Sequence, residues 1–154
     1  MKSREEIQDI AIQVIADEKK AVSGLEKQID NGFYEAVETI FSTSGRVIIT
    51  GIGKSANIAA KMVSTFNSTG TPALFMHAAD AMHGDLGMIR PDDVVVCISK
   101  SGNTPEIKVL MPLIKSFGNT LIAIVGNTDS FLAREADIVL GTEVESEAAP
   151  LRLA

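Results

Sequence analysis

The sequence predicts an α/β domain built on a parallel sheet, and three observations predict it. From Arg46 onward, five short β-branched runs alternate with helical stretches, the pattern of an α/β fold. Those runs are almost continuously apolar, which suits strands covered on both faces rather than strands with one wet face. The chain has 154 residues, 45% hydrophobic and 22% charged, enough to enclose one sizeable core and too apolar for disorder. The expected organisation is a single domain over 1–154, with a helical hairpin over 1–44 and an α/β core over 45–154.

The elements follow in chain order. Ile7, Ile10, Ala11, Val14, Ile15, Glu18, Ala21, Val22, Leu25 and Ile29 recur mostly at three- and four-residue steps, the period of a helix with one apolar stripe. Asn31-Gly32 breaks that pattern, and Phe33, Val37, Ile40 and Phe41 give a shorter second stripe ending near Thr43-Ser44-Gly45. A first helix of roughly 25 residues is long for a globular domain, so its stripe either covers this core or extends to meet another subunit. Strands are predicted at Val47–Thr50, Ala73–Met76, Val94–Ser99, Leu121–Val125 and Ile138–Leu140, and helices at Ser55–Ser68, Pro105–Phe117 and Ser130–Glu135. The stretch Ala78–Ile89 is less periodic and is expected to be part loop.

Charge and composition exclude several function classes. Lys and Arg number 14 against 20 Asp and Glu, a formal charge of −6, which lacks the basic footprint of a nucleic-acid binder. No apolar run approaches the roughly 18 to 20 residues of a membrane span. The lone Cys97 has no internal disulfide partner, and the charged stretch Lys2 to Asp9 lacks the apolar segment of a signal peptide. The expected location is the cytoplasm. Cys97 lies within a predicted strand and reads as a small core residue.

Ligands of open parallel sheets bind at the carboxyl ends of strands, and two strand-to-helix loops there carry suitable chemistry. In Thr50-Gly51-Ile52-Gly53-Lys54-Ser55, glycines let the backbone approach an anion, helix N–H groups point at it, and Ser55 adds a hydroxyl. A Walker A loop needs a glycine where Ile48 stands, so that reading fails. Gly51, Gly53 and Ala56 fit the dinucleotide pattern G-x-G-x-x-A, with Asp80 at a loosely suitable distance. Glycines serving only a tight turn are the third reading. The second loop, Ser99-Lys100-Ser101-Gly102-Asn103-Thr104, leads into a helix opened by Pro105 and Glu106. Its hydroxyls and free amides suit a monophosphate ester, which a dinucleotide fold would not need at this second position.

These residues carry a resemblance. Ser99-x-Ser101-Gly102-Asn103-Thr104 resembles the phosphate loop of the sugar isomerase (SIS) domain family, whose pattern is Ser-x-Ser-Gly-Glu/Asn-Thr/Ser. The blocks Gly51-Ile52-Gly53-Lys54-Ser55, Ser68-Thr69-Gly70-Thr71-Pro72, His83-Gly84-Asp85-Leu86-Gly87-Met88 and Glu147-Ala148-Ala149-Pro150-Leu151 are similar to one branch, the D-arabinose 5-phosphate isomerases. The resemblance implies a flavodoxin-like five-stranded parallel sheet with helices on both faces and a homo-oligomer, usually a tetramer. It implies interconversion of D-ribulose 5-phosphate and D-arabinose 5-phosphate, the entry to the acid sugar Kdo of bacterial lipopolysaccharide and capsule. It implies no metal and no cofactor. That branch continues past the position of Ala154 with a further core helix and a histidine, so the chain reads as a truncated member.

The resemblance places the phosphate among Gly53, Ser55, Ser99, Ser101, Gly102, Asn103 and Thr104, and makes Lys54, Glu106 and Glu147 the candidates for chemistry. Moving a proton between C1 and C2 passes through an enediolate, which calls for a base, a proton relay and positive charge near the oxyanion. Two carboxylates in different environments can divide base and relay. His83 has a suitable titration range and is a further candidate, though a lone histidine is more often structural. Two other function classes stay open: a non-catalytic module sensing a phosphosugar or acid sugar, and a dinucleotide-binding oxidoreductase.

Overall fold

The structure is a computed structural model that describes residues 2–144 and 148. Helix α1 (Arg4–Gly24) opens on a reciprocal cap: Ser3 Oγ accepts from the Glu6 N–H at 3.1 Å, and the Glu6 carboxylate accepts from the Ser3 N–H at 2.6 Å. It is shorter than the apolar period suggests, because the chain tightens into a 3-10 turn at Leu25–Gln28. The Asp30 carboxylate then accepts from the Phe33 N–H at 3.2 Å and opens α2 (Asn31–Ser42). Asn31-Gly32, which interrupts the sequence pattern, is therefore the first turn of the second helix.

No residue of α1 is buried. Ile10, Val14, Ala21 and Leu25 are half-covered, whereas Ile7, Ile15 and Val22 are 56%, 65% and 67% exposed. Within the described residues, the long stripe is not buried by this chain's own core.

Five parallel strands follow: β1 (Val47–Gly51), β2 (Ala73–His77), β3 (Val94–Ser99), β4 (Leu121–Val125) and β5 (Ile138–Gly141). Their order in the sheet is β2-β1-β3-β4-β5, the flavodoxin-like arrangement and not that of the doubly wound dinucleotide fold. Helices α3 (Lys54–Ser68), α4 (Ala78–Ala81), α5 (Pro105–Ser116) and α6 (Phe131–Glu135) connect them. The sheet grows one way from β1 to β2 and the other way from β3 onward, which makes the crevice above the β1–β3 pair the topological switch point.

Alternation along each strand sorts the core into two layers. Ile48, Met76, Val95, Cys97, Leu121, Ala123 and Val125 face α4, α5 and α6. Val47, Ile49, Val96, Ile122 and Ile138 face α2 and α3. The inner face of α5 sets Ile107, Leu110, Met111 and Ile114 at helical spacing, all fully buried, and each such side chain contributes roughly 1.5–3 kcal/mol relative to exposure. Cys97 is buried as the sequence suggests, and burial pushes its thiol up to about 12. Among the described residues no helix is long and apolar enough to cross a membrane.

A clamp closes the amino end of the sheet. Arg46, just before β1, grips Asp93, just before β3, through two charged contacts, Nη2 to Oδ2 at 2.6 Å and Nε to Oδ1 at 3.1 Å. The backbone N–H groups of Arg46 and Arg90 donate to the same carboxylate at 2.8 and 2.9 Å. Burial alone would raise the Asp93 carboxyl, but these hydrogen bonds and the Arg46 charge together hold it below the usual carboxylate range.

Candidate active site

The site is built at the opposite, carboxyl end of the strands. β1 ends at Gly51, which pairs in register with His77 of β2 and Ile98 of β3, so the loops after β1 and β3 leave the sheet side by side. In the first loop Gly53 takes φ +58° and begins α3 without a side-chain cap. Helix N–H groups at such an end lack intrahelical partners and carry about half a positive charge. Lys54 is exposed and Ser55 half-buried in this first turn.

The second loop is held from within. Ser99, 3% exposed at the end of β3, accepts from the Gly102 N–H at 3.1 Å. Ser101 Oγ accepts from the Asn103 N–H at 3.3 Å, and Asn103 Nδ2 donates to the Ser101 carbonyl at 2.9 Å. Asn103 Oδ1 and the Gly102 carbonyl accept from the N–H groups of Phe131 and Leu132, which ties the loop to α6. Gly102 has φ +63°, and a Cβ there would lie 2.1 Å from Ser130 Oγ, so the loop has room for glycine only.

Thr104 begins α5 with Pro105 behind it, yet its hydroxyl caps nothing. Thr104 Oγ1 is buried and has no hydrogen-bond partner among the described residues. Left so, such a hydroxyl costs about 1–3 kcal/mol, whereas an anion bound at the helix end would satisfy it. Glu106 sits half-buried in the same first turn.

A cavity of about 300 Å³ opens over the strand ends, lined by Ser55, Ile98, Lys100, Ile124, Gly126, Thr142 and Val144. Of the described residues expected from the sequence, only Ser55 lines its wall; Gly53, Ser99, Ser101, Gly102, Asn103 and Thr104 belong to the two adjoining loops, and Lys54 and Glu106 to the helix turns that follow them. A larger cleft of about 460 Å³, between the end of α1 and Glu143, contains none of them. His83 is exposed beyond α4, its N–H donating to the Asp80 carbonyl at 2.8 Å. Asp80, the acid of the dinucleotide reading, has a side chain 69% exposed and 3.7 Å from His77 Nδ1. Glu147 lies outside the described residues.

Lys100, Gly126, Thr142 and Val144 line the wall without being singled out by the sequence. Lys100 stands inside the hydroxyl-rich loop, while Gly126 and Thr142 directly follow β4 and β5. The rule that ligands gather at carboxyl ends of strands points to those positions, but neither carries a motif of its own.

The SIS domain model matches residues 40–153. Arabinose 5-phosphate isomerase KpsF of Escherichia coli is 47% identical over 143 residues, covering 92% of this chain and 44% of that protein. Arabinose 5-phosphate isomerase KdsD of Pseudomonas aeruginosa is 46% identical over 144 residues, covering 94% and 44%. The chain thus spans less than half the length of these relatives. Among solved structures, an Escherichia coli CFT073 protein in complex with arabinose 5-phosphate superposes with a TM-score of 0.94 at 38% identity, covering 99% of this chain and 81% of that one. With a five-stranded parallel sheet in flavodoxin-like order and a match over residues 40–153, the chain belongs to the SIS domain family.

Proposed function

We propose that this chain is the phosphosugar-binding domain of an isomerase that interconverts D-ribulose 5-phosphate and D-arabinose 5-phosphate in the supply of Kdo. The observation that carries this reading is the buried, unpartnered Thr104 hydroxyl at the amino end of α5, set in a loop of further hydroxyls at the switch point. The names of its relatives and the arabinose 5-phosphate bound by its structural neighbour support the choice of sugar. In this reading Ser99, Ser101, Gly102, Asn103 and Thr104 cradle the phosphate, with Gly53 and Ser55 closing it from the first loop. The chemical step moves a proton between C1 and C2 through an enediolate. Glu106 and Glu147 share the roles of base and relay, His83 is a further candidate for proton transfer, and Lys54 stabilises the oxyanion.

The protein would act as a cytoplasmic homo-oligomer, a tetramer in the full reading. The exposed apolar residues of α1 support an assembly that covers them. The test is incubation with D-ribulose 5-phosphate in deuterated water, following aldose formation and label at C2 by NMR. Label at C2 that disappears in Glu106→Gln supports the reading. A chain that neither forms the aldose nor binds either pentose phosphate refutes it.

A further inference from the structure

We infer that Gln28 and Thr128 are positioning residues that act through Glu143 to hold Thr142–Val144 as a wall of the sugar cavity, an inference that rests on the phosphosugar reading above. Ser55, which closes on the ester in that reading, also lines the 300 Å³ cavity, so the sugar extends from the ester into this space. Thr142 and Val144 form part of the same wall. Val144, with Glu143, also lines the larger 460 Å³ cleft at the end of α1. The segment after β5 is therefore a partition with open space on both sides. Val144 is 45% exposed, so apolar burial does little to keep it in place.

Hydrogen bonds hold the partition instead. The Thr142 N–H donates to the Val125 carbonyl at 2.7 Å, which continues the β4–β5 ladder by one residue. At the next residue, Gln28 Nε2 reaches from the 3-10 turn after α1 and donates to the Glu143 carbonyl at 3.2 Å. The Glu143 carboxylate accepts from Thr128 Oγ1 at 3.1 Å and from the Thr128 N–H at 3.4 Å. At Gly141, the last residue of β5, an added Cβ would lie 3.3 Å from Thr128 Cγ2 and 3.4 Å from Gln28 Oε1, so the two side chains bracket the exit of the strand. Gln28 Oε1 is buried with no hydrogen-bond partner among the described residues. That loss offsets the gain at Nε2, so the contact fixes a position rather than adding stability. A shift of roughly 1 Å in such a wall is enough to spoil a bound geometry.

The experiment titrates D-arabinose 5-phosphate into this chain by calorimetry and records a melting temperature for each variant. Gln28→Met and Thr128→Val should each raise Kd about three- to tenfold, and Gln28→Met should do so with the melting temperature unchanged. Thr128→Ser keeps the hydroxyl and should bind as the wild type does. Glu143→Ala should weaken binding as Thr128→Val does, and the two together should be no worse than either, because both remove one contact. If the wild type binds and Gln28→Met and Thr128→Val bind as tightly, with or without a lower melting temperature, this inference falls alone. Thr128→Ser binding as weakly as Thr128→Val would overturn it too, since the hydroxyl would then not be the agent. If the wild type does not bind the ester at all, the phosphosugar reading falls and takes the inference with it.

Discussion

Replacing Gly102 by alanine tests whether the second loop is held in one conformation by contact with α6. The backbone φ of +63° alone costs an L-residue roughly 1–2 kcal/mol. A Cβ at this position would lie 2.1 Å from Ser130 Oγ and 2.5 Å from Ser130 Cβ. Ser130 is 1% exposed and its hydroxyl accepts from the Ala133 N–H at 3.3 Å, capping α6. Displacing it forfeits a cap of about 1 kcal/mol and adds overpacking of about 1–3 kcal/mol. The expected loss is about 3–6 kcal/mol, read from urea denaturation curves. Gly118→Ala is the control: its φ is +80°, but a Cβ there meets nothing within 4 Å, so only the backbone cost applies. A Gly102→Ala variant no less stable than Gly118→Ala would refute the steric part of the reasoning.

Asp93→Asn should cost about 3 kcal/mol by stranding Arg46 at a largely buried site, measured by denaturant midpoint. Because the folded Asp93 carboxyl lies below its unfolded value of about 4, its stabilisation is complete above that value and disappears as pH falls through the folded one; the variant should flatten that acid limb. Cys97, fully buried with its thiol pushed up to about 12, should resist a disulfide reagent at pH 8 and react only at the rate of unfolding; rapid native-state labelling would contradict the packing. Thr104→Val should leave the melting temperature unchanged or raised, since the hydroxyl has no partner to lose, while D-arabinose 5-phosphate affinity falls about tenfold in a calorimetric titration.

The strands were legible because apolar runs bounded by turn residues leave little freedom. β3 and β4 match the sequence pattern residue for residue. β1, β2 and β5 each extend one residue further, to Gly51, His77 and Gly141, since ladder pairing continues past the last apolar side chain. Periodicity carries no information on partners distant in sequence. Asp93 reads as part of a Pro-Asp-Asp turn, and only the fold brings Arg46, 47 positions away, onto its carboxylate. In the same way the loop residues Ser99 to Thr104 announce themselves by composition, whereas Thr142 and Gly126 enter the cavity wall only through strand order. The first stripe marks α1 as a helix; its exposure is a property of the surroundings and not of the period.

The Arg46–Asp93 clamp has a consequence for how this scaffold tolerates change. It fastens β1 to β3 at their entrances, while ligand recognition is assigned to their exits. Strand alignment is therefore secured without help from the recognition turns, and those turns can be rewritten for another anionic guest at little expense to folding. The exception is Gly102, where the exits are themselves locked against a neighbouring helix.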